Sequence, residues 1–147
     1  PSAITRLLEL GVPAYLISAT LLGVLAQRLV RTLCKECKEP DDELSPEVLA
    51  EAVKPWKFSG TFQPYRPVGC IDCRMTGFRG RMGLYELLTV SEVLKQGITA
   101  EPSIDGLRRQ AMQDGMRPLR MAGALRAAQG ITTLEEVIAA TPNPVSH

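Results

Sequence analysis

CKEC at Cys34–Cys37 and CIDC at Cys70–Cys73 hold all four cysteines of the chain, in the pattern C-x2-C, thirty-two residues, C-x2-C. A two-residue gap lets a tight turn aim two sulfurs at one point about 2.3 Å from a shared ion, and two such turns complete a tetrahedral four-thiolate shell. That is the closed donor set of a structural zinc site. The long gap exceeds the ~15–20 residues of the common short pattern. A helix fits inside it, with Ser45 at a cap position, Pro46 at the first helical position and EVLAEAV following. Two disulfides would need an oxidising compartment, which the sequence does not signal, and a redox pair would need a thioredoxin-like βαβ setting, which is not visible. An iron–sulfur centre draws on the same ligands. The spacing favours zinc on Cys34, Cys37, Cys70 and Cys73.

Around the cysteines, from Leu33 to Leu88, Pro40, Pro55, Pro64 and Pro67 with Gly60, Gly69, Gly77, Gly80 and Gly83 break the chain into turns. RMGLYELL, Arg81–Leu88, is the best strand candidate. Such a stretch has too little apolar material to fold alone. Metal binding supplies about 10–16 kcal/mol of apparent folding free energy, which is what it lacks. Four thiolates around a dication leave a negative centre, so Lys35, Lys38 and Arg74 beside the cysteines read as local compensation. Arg66, Arg79 and Arg81 extend a basic surface. An anion or nucleic-acid site is one reading of it; charge balance on a solvated face is the plainer one, because no aromatic and basic residues interleave there.

The flanks are helical in pattern. ITRLLELG ends at Gly11 with Pro13 beyond, which predicts a helix closed by a left-handed glycine. The stretch from Ala14 to Arg31 predicts one long helix, apolar nearly all round until Gln27, Arg28 and Arg31, whose second face needs a partner. Leu10–Gln27 carries no charge, yet Pro13, Ser18, Thr20 and Gly23 interrupt it, so a core helix is a better reading than a membrane span. From Thr89 onward further helices are expected: Ser91–Gln96, one capped by Ser103, one from Pro118 to Gln129 stopped by Gly130, and a last one with Thr132 and Glu135 in capping-box register. TPNPVSH reads as a tail. The fold class expected is therefore mostly α, with a small zinc-binding module carrying a short β-hairpin.

At 147 residues with 45% apolar and 22% charged content, the composition is that of one ordinary domain or two small modules. A net charge of +1 argues against a strongly cationic nucleic-acid binder. The start has no initiator Met and no signal-peptide pattern, and reads as a fragment boundary. No glycine is followed by lysine anywhere, so the chain has no G-x-x-x-x-G-K-[ST] loop to cradle a triphosphate. The single histidine, His147, is the last residue and reads as tail rather than ligand. No catalytic triad or paired-carboxylate arrangement can be assembled, so the chain alone is not expected to be an enzyme.

Three stretches carry a resemblance: AITRLLELGVPAYLISATLLGVLAQRLVRTLC, then GCIDCRMTGFRGRMGLYELL, then MRPLRMAGALRAAQGITTLEEVIAATP. Together they resemble the C-terminal part of the assembly ATPases of bacterial type II secretion and type IV pilus systems. The motif C-x-x-C-x-x-T-G-[FY]-x-G-R-x-G-[IL]-Y-E is the most specific part. Cys34, Cys37, Cys70 and Cys73 match the family's zinc ligands, and Gly77, Gly80, Arg81, Gly83 and Glu86 match its turn and strand pattern. The resemblance implies the C-terminal part of a RecA-like α/β motor: residues 1–33 as the last helices of the core, 34–90 as the tetracysteine module, and 91–147 as a C-terminal helical subdomain. It implies that the phosphate-binding loop lies before Pro1, so that Mg-ATP belongs to the parent motor only. It further implies a hexamer on the cytoplasmic face of the inner membrane. The partners implied are the rest of the motor core, neighbouring subunits and an inner-membrane platform protein, with no nucleic acid. The competing class is a free-standing zinc-ribbon nucleic-acid-binding domain, which would lose its ligand steeply with added salt.

Overall fold

The computed structural model describes residues 1–54 and 57–142. Pro55, one of the expected chain breakers, and His147 with most of the expected tail lie outside the described residues. Among the described residues are seven helices and two two-stranded sheets, divided between two compact units.

The first unit comprises Pro1–Ala26 and Glu86–Arg117. Helix α1, Ser2–Glu9, closes as anticipated: the Gly11 N–H donates to Leu8 O and the Val12 N–H to Leu7 O, the paired bonds of a Schellman motif, with Gly11 at φ +92°. Helix α2 covers only Ala14–Thr20. Helices α4, Glu92–Gln96, and α5, Ile104–Gln113, are capped by the Ser91 and Ser103 hydroxyls, which accept from the N–H groups of Leu94 and Gly106. Ile4, Ile17, Leu88, Leu94 and Leu107 form the core of this unit.

The second unit comprises Gln27–Tyr85 and the chain from Pro118 onward. Helix α3, Pro46–Ala52, starts on Ser45, whose hydroxyl accepts from the Val48 N–H. Its Leu49, with Val53, packs against Met121, Ala124 and Ala128 of α6, Leu119–Ala128, and Leu134 of α7, Leu134–Ala140. Two short strands, β2 at Glu39–Pro40 and β3 at Tyr65–Arg66, pair antiparallel, with Glu39 opposite Arg66.

Two expectations are corrected. Instead of one helix from Ala14 to Arg31, the chain leaves helix at Leu21 (ψ 121°) and runs as strand β1 over Gly23–Leu33. It pairs with β4, Phe78–Thr89, a longer strand than the Arg81–Leu88 candidate. The Val90 N–H meets Leu22 O beyond one end, and the Thr32 hydroxyl meets Arg79 O near the other, so the strands run antiparallel. A run that is apolar nearly all round satisfies either period, and the ladder offered by β4 decides for strand. The last cap is also one residue later than expected. Thr133, not Thr132, accepts from the Glu136 N–H, while Thr132 is fully buried and donates to Arg31 O at 2.7 Å. Among the described residues no helix is long and apolar enough to cross a membrane.

Candidate metal centre

The four cysteines, distant in sequence, converge: their sulfurs all lie within 4.8 Å of one another. Cys34 and Cys70 stand 3.8 Å apart, Cys37 and Cys73 3.8 Å, and Cys70 and Cys73 3.7 Å. A tetrahedron with zinc–sulfur bonds of about 2.3 Å has edges of about 3.8 Å, so the arrangement fits one tetrahedral ion. A disulfide would require about 2.05 Å, and all four cysteines are free. Sulfurs this close leave room for a single ion and none for a multi-iron cluster.

Backbone geometry explains how two short turns place four sulfurs. In the first turn the Lys38 N–H closes on Cys34 O at 3.0 Å, and the Cys34 N–H reaches across to Gly77 O at 2.9 Å, tying it to the second. The second is a tighter loop: the Met75 N–H donates to Cys70 O at 2.8 Å, with Arg74 and Met75 in the left-handed region at φ 54° and 64°. Each of those residues costs roughly 1–2 kcal/mol there, small beside what a bound ion returns. The loop exits through Gly77 at φ +80°, where a side chain would bring Cβ within 2.5 Å of Pro67 Cβ. Only glycine fits. Thr76 Oγ1, 2.7 Å from Cys73 O and accepting from the Phe78 N–H, fastens the exit to β4.

Three backbone N–H groups point at sulfur: Gly69 at Cys37, and Cys70 and Gly77 at Cys73, over 3.2–3.3 Å. Such donors stabilise thiolates and orient them for a metal. Burial by itself raises the Cys73 thiol, but the N–H groups of Cys70 and Gly77, with the Cys70 and Cys37 thiols, bring it down to about 6. Burial pushes the Cys37 thiol up. At Cys70 a backbone hydrogen bond at Cys73 works downward, yet burial and the Cys73, Cys37 and Cys34 thiols drive it up to about 11. One negative charge thus forms readily and resists a second, the situation that a dication relieves.

The centre is anchored to its own unit by contacts that spacing alone does not reveal. Lys38 Nζ donates to Gly130 O at 2.8 Å and stands 4.4 Å from the centre of the Tyr65 ring. The Leu33 N–H donates to Ile131 O at 2.8 Å. Arg31 forks onto Glu136 through Nε at 2.9 Å and a terminal nitrogen at 2.6 Å, and lies over the Phe78 ring at 4.1 Å. The Arg31 hydrogen bonds hold the Glu136 carboxyl below its ordinary range. Lysine beside a cysteine pair was legible as charge balance; its carbonyl and ring partners were not. Of the other motif residues, Arg81 is exposed, and Gly83 lies under the Tyr85 ring.

Comparison with known proteins gives a consistent answer. The model of the family described as type II/IV secretion system protein matches residues 1–139. The chain is 44% identical over 142 residues to the type IV pilus assembly ATPase TfpB of Acinetobacter baylyi, covering 97% of this chain and 24% of that protein. It is 40% identical over 141 residues to the type IV pilus assembly ATPase PilB of Myxococcus xanthus, covering 96% and 25%. With the type II secretion system ATPase E of Vibrio cholerae it shares 42% over 144 residues, covering 95% and 27%. The chain thus spans about a quarter of the length of these relatives.

Proposed function

Because the chain belongs to the type II/IV secretion system protein family, we propose that it is the zinc-bearing segment of a motor ATPase that drives type II secretion or type IV pilus assembly. Cys34, Cys37, Cys70 and Cys73 hold the zinc. The convergence of four free thiols at the spacing of one tetrahedral ion carries this reading. The ion supplies no reaction. It crosslinks two turns that have little core of their own, and that crosslink holds the second unit in shape for docking.

Nucleotide chemistry belongs to the remainder of the parent protein, since phosphoryl transfer needs a glycine-rich loop, its lysine and a carboxylate-held Mg²⁺. Exposed apolar side chains in the first unit support a packing neighbour. Tyr15 and Leu22 are 76% and 83% exposed, and Leu10, Leu25 and Leu87 also face outward. The rest of the motor core, or an adjoining subunit of a hexamer, would cover them. Docking on an inner-membrane platform protein from the cytoplasmic side completes the proposal.

Elemental analysis of the chain purified without added metal should return one zinc per chain. In the complete motor, Cys34→Ser should leave ATP binding intact while secretion or piliation fails. Normal export with the cysteine set destroyed, or tight Mg-ATP binding by this chain alone in calorimetric titration, would overturn the assignment.

A further inference from the structure

Beside the first cysteine turn, within the second unit, lies a cavity of about 580 Å³. That size is typical of small-molecule sites, roughly 300–1,000 Å³. Leu33 and Ile131 contribute apolar lining, Thr32 a hydroxyl and Cys34 one thiol of the metal centre; Lys35, Lys38 and Arg79 contribute three cations against the Glu36 carboxylate and that centre.

The cations are not equivalent. Lys38 is committed to Gly130 O and the Tyr65 ring. Lys35 and Arg79 close on no carboxylate and no carbonyl among the described residues, whereas Arg31 and Arg66 of the same unit each grip a glutamate. The Arg79 backbone is held in place, because the Thr32 hydroxyl donates to its carbonyl oxygen, while its side chain is exposed. Lys35 sits inside the turn that the metal ligands Cys34 and Cys37 define. Two cationic side chains that donate to no carboxylate or carbonyl, Lys35 beside the thiolate centre it helps to balance and Arg79, are therefore presented on a backbone that is already fixed, which reduces the ordering cost of binding.

We propose that this cavity binds the phosphate group of a small phosphorylated molecule, with Arg79 and Lys35 as donors and the half-buried Ile131 side chain receiving the organic part. Guanidinium and ammonium groups suit phosphate oxygens, and the planar fork of Arg79 adds direction. The motor reading neither requires this site nor depends on it.

The test uses the zinc-loaded chain, titrated with inorganic phosphate and with glycerol phosphate at matched ionic strength and followed by amide NMR. Saturable shifts are expected at Cys34, Lys35, Arg79 and Ile131, tighter for the ester than for the inorganic ion. Arg79→Gln should weaken binding at least about tenfold, the worth of a charge-assisted contact. Arg81→Gln removes equal charge without lining the cavity and should leave affinity unchanged. If Arg79→Gln loses its zinc, Lys35→Gln takes its place. Failure to saturate, equal weakening by Arg81→Gln, or binding to phosphatidylglycerol vesicles with none to soluble phosphates would each overturn the proposal.

Discussion

Replacing Cys70 by serine tests how far the proposed metal centre reaches. Cys70 Sγ is 3.8 Å from Cys34 and 3.7 Å from Cys73, so its loss opens the tetrahedron toward both turns. If the roughly 10–16 kcal/mol of a structural zinc site is shared equally by its ligands, one ligand accounts for about 2.5–4 kcal/mol. The left-handed Arg74 and Met75 then lose the crosslink that offsets their strain. The effect should not stop at Leu88. Ile131 O and Gly130 O, just past α6, accept from Leu33 and Lys38, and Ala128 O accepts from the Gln63 N–H. Amide exchange in α3, α6 and α7 should therefore accelerate roughly 60- to 700-fold, since each 1.4 kcal/mol is about tenfold in the opening equilibrium. Helices α1, α2, α4 and α5, whose core is Ile4, Ile17, Leu94 and Leu107, should keep their protection. The diagnostic is the discontinuity between α5 and α6, adjacent along the chain. Hydrogen exchange read by mass spectrometry would refute the reasoning if α6 stayed as protected as α5, or if every helix lost protection equally.

Gly77→Ala forces Cβ toward Pro67 and disturbs the N–H donor to Cys73; a loss of about 2 kcal/mol or more is expected, and zinc should transfer faster to a chromophoric chelator. Thr133→Ala should cost about 1 kcal/mol as a lost cap, and Thr132→Val a similar amount through the missing bond to Arg31 O. Urea midpoints would separate these from Thr89→Ala, an exposed threonine that should move little. Glu136→Gln should destabilise the chain by about 1 kcal/mol at pH 7, given the half-exposed Arg31 partner. The Glu136 carboxyl is held low in the fold, so its contribution is complete above the ordinary carboxylate range and vanishes as pH falls through the folded value. The gap between wild type and variant should close on acidification; a gap that widened would show that the ion pair is not its source.

Local chemistry was legible along the chain wherever a residue acts on its immediate neighbours. A hydroxyl caps the turn that follows it, which is why Ser45 and Ser103 were legible as caps, while Ser91, expected inside its helix, proves to be the cap. Gly11 ends a helix through bonds spanning a few residues, and cysteine pairs with two residues between them form turns whose sulfurs could share a metal ion. What needed the tertiary structure was every choice between locally equivalent outcomes. Ala14–Arg31 is apolar nearly all round up to Gln27, Arg28 and Arg31, so its pattern suits helix and strand alike until β4 supplies backbone partners for Gly23–Leu33. Thr132 and Thr133 are both competent caps, and burial of Thr132 against the Arg31 carbonyl leaves the role to Thr133. The helices after Ser91 look alike in pattern, yet α4 and α5 share a core with α1 and α2, while α6 and α7 share one with α3. Periodicity specifies that a face will be buried; only shape and the hydrogen-bonding groups left open elsewhere select what buries it.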